Sequence, residues 1–254
     1  EKIRVVTHDH GSGNAHHEQT PAHWVEFMHT DVFVTFNSKN QDVKNAQFQP
    51  NLIFGQQPPL IQSLDNALGV APSAPTPRVV TSHQKIKKVM YIGTAFHGEG
   101  TRLRPIFHDM TYFDWQIKLF SHLSNLDLSV IYKPHPEGAT RVPAGFARSF
   151  GFKSIEKKFE DIDDDIDAYI IDFVFSSTTP SVLRSEKPVF FVDLGFPEIS
   201  DDALELIKKR CYYYRSTYSD DSRLEIEFDF LRGDLSRESH IFHTDFPDIY
   251  FQNI

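Results

Sequence analysis

The chain has 254 residues, of which 40% are hydrophobic and 24% are charged, and its formal net charge is −9. These values predict an ordinary globular protein of one to two domains, and an acidic chain without a block of Lys or Arg argues against a nucleic-acid partner. No run approaches the roughly 18 apolar residues of a membrane span, and the single cysteine, Cys211, excludes an internal disulfide and fits a reducing cytoplasm.

Up to residue 56 the pattern alternates between strand and helix, which predicts an α/β domain with a parallel sheet. The chain enters an apolar run at once, without a signal peptide, so we expect a piece of a longer protein whose first domain is truncated. Strands are predicted at 2–6, 31–36 and 51–54, and helices at 21–29 and 38–46.

Residues 57–87 hold five prolines among small polar residues and predict a linker between domains. From 88 to 218 a second series of strands and helices predicts a nearly complete, doubly wound Rossmann-like domain. The tail, 219–254, is acidic and aromatic and carries no assignable pattern. The second series has strands at 88–92, 126–132, 168–175 and 188–192, and helices at 112–123, 179–185 and 201–209.

The first candidate binding loop is Lys133-Pro134-His135-Pro136, directly after the predicted strand 126–132. A residue before proline is pushed toward extended geometry, and proline fixes its own φ, so the loop is expected to be stiff. Two interpretations are open. The loop either binds a phosphate, with charge from Lys133 and a ring N–H from His135, or is a plain proline-rich loop with an exposed lysine and a packed histidine.

A second candidate loop, residues 176–181 (Ser-Ser-Thr-Thr-Pro-Ser), follows the predicted strand that ends at Phe175. Pro180 suits the first helical position, so Thr179 is predicted as the N-cap, and the free N–H groups of such a helix start can bind an anion. A capping sequence without a ligand is the alternative. Because ligands of open α/β sheets bind at the carboxyl ends of the strands, both loops are expected to face one crevice.

A third loop, residues 8–14 (His-Asp-His-Gly-Ser-Gly-Asn), follows the first predicted strand. Asp9 and His10 can take a proton or act as nucleophiles. Histidines crowd this region, but their spacing fits no standard zinc pattern, so a polar catalytic or gating loop is favoured over a metal site. Gly93-Thr94, after strand 88–92, could lend N–H groups to a phosphate, whereas the acidic run 161–167 predicts a solvated surface segment.

Three motifs resemble the C-terminal domain of GT-B glycosyltransferases that build bacterial surface polysaccharides. They are KPHP at 133–136, D-x-x-F-S-S-T-T-P-S at 172–181 and KPVFF-x-D at 187–193. These enzymes include Kdo transferases of capsule and O-antigen assembly, bacterial sialyltransferases that use CMP-sugars, and CDP-glycerol glycerophosphotransferases. His10-Gly11-x-Gly13 and the strand 31–36 resemble the end of their N-terminal domain, although relatives often have a second glycine directly after His-Gly.

The resemblance implies a GT-B-like pair of Rossmann-like domains, in which the second domain holds the nucleotide. It also implies that the reactive carboxylate or imidazole comes from the first domain, where Asp9 and His10 are the matching positions. The expected phosphate contacts are Lys133, His135, Ser176, Ser177 and Thr178, to which the loop after strand 88–92 adds Thr94.

The expected function is transfer of Kdo or a similar acid sugar from a CMP-activated donor to a glycan or glycolipid acceptor. The nucleotide-sugar is a substrate, and neither a metal nor another cofactor is required. The expected location is the cytoplasm, with peripheral association at the inner membrane face. Three alternatives remain open: a CDP-glycerol-dependent glycerophosphotransferase, a nucleotide-binding module without catalysis, and a metal-dependent hydrolase built on the histidine cluster.

Overall fold

The fold is α/β, as predicted, and its largest element is a six-stranded sheet in which all neighbouring strands are parallel. The N-terminal residues form a separate three-stranded parallel sheet. The structure, a computed structural model, describes residues 4–8, 30–35, 59–69, 76, 78–96, 108–136, 142–162, 165–195, 198–221 and 223–251.

The small sheet consists of β1 (Val6–His8), β2 (Val32–Thr35) and β3 (Leu60–Ser63). The predicted strand at 2–6 is wrong in position, because pairing with β2 begins at Val6 and the Val5 N–H donates to the Asp31 carboxylate, 2.8 Å away. β2 confirms the predicted strand 31–36 in its described part. The predicted elements at 21–29, 38–46 and 51–54 lie outside the described residues.

The predicted linker 57–87 is wrong where it implies irregular chain, since it contains β3, α1 (Leu64–Leu68) and β4 (Val79–Ser82). β3 joins the small sheet beside β2. Ser63 caps α1 by accepting the Asn66 N–H at 3.2 Å, and Gly69 ends the helix with a φ of 68°. These elements are so short that hydrophobic periodicity cannot distinguish them from the proline-rich chain around them.

The large sheet has the strand order β10-β9-β8-β5-β6-β7. Its central strands are mostly apolar, with charged residues such as Lys88 and Asp193 at their ends, because helices cover both faces of the sheet. The predicted strands at 88–92 and 188–192 are confirmed within one residue, whereas the other two are shorter than predicted. The six strands are β5 (Lys88–Ile92), β6 (Ser129–Lys133), β7 (Lys153–Ser154), β8 (Ala168–Ile171), β9 (Val189–Asp193) and β10 (Tyr212–Arg215).

Successive strand residues enter two hydrophobic clusters on opposite faces of this sheet. Tyr91 belongs to the cluster that includes the helix at 109–123. Met90 and Ile92 belong to the other cluster, which includes the helices at 179–184, 201–210 and 245–250. Cys211 is buried, and burial raises the pKa of its thiol to about 12, so it is a packed side chain. The helices after α1 are α2 (Asp109–Leu123), α3 (Phe146–Ser149), α4 (Thr179–Arg184), α5 (Asp201–Arg210), α6 (Phe228–Leu235) and α7 (Asp245–Tyr250), with a 3₁₀ turn at Phe159–Asp161.

The tail that the sequence leaves unassigned packs onto the large sheet. It forms β12 (Leu224–Glu225), α6 and β13 (His240–His243). β12 pairs antiparallel with β11 (Thr217–Tyr218), which directly precedes the tail, and β13 pairs antiparallel with β4. Phe246 and Tyr250 of α7 are fully buried in the second cluster. In the described part of the chain, no helix combines the length and apolar character needed to cross a membrane.

Candidate functional site

The strand order of the large sheet defines where a ligand is expected to bind. From β5 the chain adds β6 and β7 toward one edge, and then β8, β9 and β10 toward the other. The connections therefore diverge between β5 and β8, and in such sheets the crevice at the carboxyl ends of these two strands is the usual ligand site. The segments that leave these ends are Gly93–Phe96 and Asp172–Thr178.

A small pocket lies at this point: it is partly open to solvent, and the volume available to a water-sized group in it is about 10 Å³. It brings three of the predicted site residues together, because Thr94 lies on one wall, and Ser176 and Thr178 lie on the other. Ser177 is exposed and does not line it. The remaining lining is mostly apolar, so the few polar groups at the pocket would determine the orientation of a ligand. The lining residues are Ile92, Gly93, Thr94, Ile171, Phe173, Ser176, Thr178, Thr179 and Val182.

The start of α4 differs from the predicted capping. Thr178, and not Thr179, is the N-cap, and Pro180 occupies the second helical position. The Thr179 N–H donates to the Ser176 carbonyl at 3.0 Å, and the Thr178 N–H donates to Ser176 Oγ at 3.2 Å. Two N–H groups expected for an anion are therefore already paired within the loop. The Thr178 side chain makes no capping hydrogen bond, so its hydroxyl is a donor for a pocket ligand.

Lys133 is the last residue of β6, and the structure buries it, with 5% of its surface exposed. The alternative of an exposed lysine is therefore wrong. Its side chain lies beside Ile92 in the sheet register, and Ile92 lines the pocket. The ammonium donates to the Pro134 carbonyl at 3.1 Å. Burial lowers its pKa, while the charges of Glu160 and Glu156 act in the opposite direction.

His135 is half-buried two residues beyond β6, and it is not among the residues that line the pocket. Asp9 and His10, the predicted catalytic residues, lie outside the described residues, as does most of the histidine-rich segment. Within the described ranges, no group of three His, Cys, Asp or Glu side chains is placed to hold a metal ion. Asp161 and Asp165 of the acidic run are exposed, as predicted.

Directly behind the pocket is a buried polar network that the sequence analysis missed. Asp172, the residue after β8, is 2% exposed, and its Oδ2 accepts three hydrogen bonds. The donors are the hydroxyls of Tyr91 at 2.5 Å and Tyr112 at 2.8 Å, and Trp115 Nε1 at 3.3 Å. The predicted strand 168–175 stops at Ile171 because Asp172 is held by these side chains. Asp172 is the one acidic residue in the apolar run 168–175, and that interruption is the signal available in the sequence.

The network shifts the ionisation of its members. Burial raises the pKa of Asp172 to about 6, and the hydrogen bonds from Tyr91, Tyr112 and Trp115 limit the rise. Burial also raises the pKa of both tyrosines well above the ordinary value, and the Asp172 charge adds to this effect. Both hydroxyls therefore stay protonated and act as hydrogen-bond donors at neutral pH.

A second polar cluster lies along the same edge of the sheet, at the ends of β9 and β10. Asp193 Oδ2 accepts from the Tyr213 hydroxyl at 2.6 Å and pairs with Arg215, and Oδ1 accepts from the Gly195 N–H at 2.8 Å. Both oxygens of Asp193 thus have partners within the fold. The acidic end of the KPVFF-x-D motif therefore has a structural role in joining β9 to β10.

Comparisons with known proteins do not identify a family: no protein-family model, no curated protein and no solved structure matches the chain.

Proposed function

We propose that the pocket between β5 and β8 binds the nucleotide of an activated sugar, and that the chain is part of a GT-B-type glycosyltransferase. The observation that carries this proposal is the convergence of Thr94, Ser176 and Thr178 in one pocket at the point where the strand order diverges. The three motifs that resemble GT-B glycosyltransferases, among them enzymes that use CMP-sugars, lie at or next to the carboxyl ends of strands in this sheet. This resemblance supports a cytidine nucleotide as the ligand.

The chemistry of the pocket suits a phosphate held by neutral donors beside a buried cation. Hydroxyl groups donate hydrogen bonds to phosphate oxygens, and such bonds to a charged group are about twice as strong as neutral ones. Lys133 adds positive charge beside Ile92 of the apolar pocket lining, where burial limits screening by solvent. Lys133, His135 and Ser177 lie outside the pocket lining, so the proposed phosphate contacts are Ser176 and Thr178, and Lys133 attracts the phosphate electrostatically.

In the proposed reaction, an acceptor hydroxyl oxygen forms a bond to the anomeric carbon of the sugar, and the bond from that carbon to the phosphate oxygen breaks. The electron pair leaves with CMP. The acceptor proton passes to Asp9 or His10, the candidate bases of the first domain. Preorganised donors around the leaving phosphate would stabilise its developing charge without a metal ion.

Calorimetric titration with CMP tests the binding half of the proposal. Thr178→Val removes one pocket hydroxyl and, although Thr178 is the N-cap residue, no side-chain capping hydrogen bond is lost. It should weaken CMP binding by about ten- to a hundredfold, which corresponds to the roughly 1.5–3 kcal/mol of a hydrogen bond to a charged group. Ser181→Ala, on the exposed side of α4, is the matched control and should bind as the parent does. Equal affinities for all three proteins, or no CMP binding by the parent, would overturn the pocket assignment.

Release of the nucleotide in the presence of acceptor tests the transfer half. We expect CMP to be released from CMP-Kdo, and the acceptor to gain one sugar in mass spectrometry. Acceptor-dependent release of CMP from CDP-glycerol would instead identify a glycerophosphotransferase. Tight binding of CMP without turnover of either donor would indicate a binding module.

A further inference from the structure

The wall of the pocket formed by Gly93 and Thr94 lies in direct contact with Tyr112 of α2. The Thr94 N–H donates to the Tyr112 hydroxyl at 2.7 Å, and both residues are buried. A Cβ atom at Gly93 would lie 3.0 Å from that hydroxyl and 2.9 Å from Gln116 Nε2. Glycine is therefore needed for the chain leaving β5 to approach the helix so closely.

Asp172 determines the direction of the Tyr112 hydroxyl. A phenol has one hydrogen to donate, and Tyr112 gives it to Asp172 Oδ2 at 2.8 Å. Its oxygen lone pairs are therefore directed away from Asp172, where one of them accepts the Thr94 N–H. Asp172 acts on Thr94 in two ways: through Tyr112, and through a hydrogen bond with the Thr94 backbone that lowers the Asp172 pKa. Thr94 in turn forms one wall of the pocket.

The Asp172 carboxyl is an unfavourable group for a core that serves stability alone. It is 2% exposed, and among the residues that the structure describes its Oδ1 has no hydrogen-bond partner. A buried polar atom without a partner costs roughly 1–3 kcal/mol, and an apolar side chain of similar size avoids that cost. Groups that are retained at such a cost cluster at functional sites.

We propose that Tyr112 is a positioning residue of the pocket. Asp172 orients the Tyr112 hydroxyl, and this hydroxyl fixes the Thr94 backbone in the position that faces a bound nucleotide. This inference rests on the proposed function, because CMP is the ligand whose affinity reports the position of the wall. Neither side chain needs to touch the nucleotide.

Tyr112→Phe and Tyr132→Phe form a matched pair of variants. Both tyrosines are buried, but the Tyr132 hydroxyl bonds to Gln116, whereas the Tyr112 hydroxyl donates to Asp172 and accepts from the Thr94 N–H. Tyr112→Phe should weaken CMP binding at least about tenfold, in proportion to one lost buried hydrogen bond. Tyr132→Phe should leave the affinity within about twofold of the parent. Urea denaturation of both variants measures their losses of stability.

Hydrogen exchange of the Thr94 amide gives a second readout that needs no ligand. It should accelerate at least about tenfold in Tyr112→Phe and stay unchanged in Tyr132→Phe. Two variants at Asp172 test the orienting role: Asp172→Leu should weaken CMP binding, and Asp172→Asn, whose amide oxygen can still accept from Tyr91 and Tyr112, should restore it.

Three results would overturn the inference: parent-like CMP affinity in Tyr112→Phe, equal weakening in both Phe variants, or parent-like affinity in Asp172→Leu. If the parent does not bind CMP, the proposed function fails. The exchange rate of Thr94 in Tyr112→Phe then decides by itself whether Tyr112 holds this wall.

Discussion

Asp172→Asn replaces a buried carboxyl group by an amide of the same shape, and it should change how the stability of the fold depends on pH. Burial raises the pKa of Asp172 from its ordinary value of 3.8 to about 6. The folded protein therefore keeps this proton at pH values where the unfolded chain releases it. Because the folded state binds more protons between the two values, the free energy of unfolding falls as pH rises through that window.

The expected magnitude follows from the size of the shift. A rise of about two pKa units corresponds to about 3 kcal/mol, at about 1.4 kcal/mol per unit. This stability is fully present below the pKa of the unfolded chain and is lost by the time the pH passes about 6. Asparagine does not titrate. The unfolding free energy of Asp172→Asn minus that of the parent should therefore rise by about 2–3 kcal/mol between about pH 4 and pH 7.

Urea denaturation followed by circular dichroism at several pH values measures this difference. Asp114→Asn is a control of opposite sign, because a hydrogen bond from Arg223 lowers the pKa of Asp114. The parent should lose stability relative to Asp114→Asn as the pH falls through that lowered value. A difference between Asp172→Asn and the parent that stays flat between about pH 4 and pH 7 would refute the conclusion that burial holds the proton on Asp172.

Three further substitutions test packing at the pocket wall, within α6 and at the end of α4. Gly93→Ala places a methyl group 3.0 Å from the Tyr112 hydroxyl and should lower the unfolding free energy by about 1–3 kcal/mol. Gly233→Ala lies in α6, and apart from the backbone of its own helix the described residues place no atom within 4 Å of the new methyl group, so it should instead raise the unfolding free energy by about 0.5–1 kcal/mol; urea denaturation in which both changes have the same sign would contradict this reasoning. Arg210→Lys should cost about 2–4 kcal/mol in the same measurement, because Arg210 donates to the Leu183 and Ser185 carbonyls, each at 2.7 Å, at the end of α4. A loss below about 0.5 kcal/mol would show that these contacts do not hold α4.

The sequence predicts the large sheet well, because its central strands are buried on both faces. β5 and β9 appear as short apolar runs that no helix period interrupts, and their positions are confirmed. The pairing of β13 with β4 could not be predicted in the same way, because the His240 to Ser82 register joins segments far apart in the chain. Local patterns carry no information about which distant strand a segment will meet.

The candidate site was predicted in part for the same reason. Thr94, Ser176 and Thr178 stand out because each follows a predicted strand, and strand ends converge in a parallel sheet. The buried network behind these residues could not be predicted from the sequence, since Tyr91, Tyr112 and Trp115 occupy positions where any aromatic residue would satisfy the hydrophobic pattern. Their hydroxyl and indole groups acquire a role only when two separate segments, β5 and α2, fold against Asp172.

The burial of Lys133 changes how charge would reach a ligand in this pocket. Within the described residues, no carboxylate forms a salt bridge with its ammonium, which donates to the Pro134 carbonyl. The lowered pKa shows that the isolated charge is unfavourable in this environment, so a nearby anion would stabilise the protonated form. Since Lys133 lies beside Ile92 and outside the pocket lining, its effect on a phosphate would be electrostatic attraction at a distance. The hydroxyls of Thr94, Ser176 and Thr178 would then set the geometry of binding, and Lys133 would favour a negative charge.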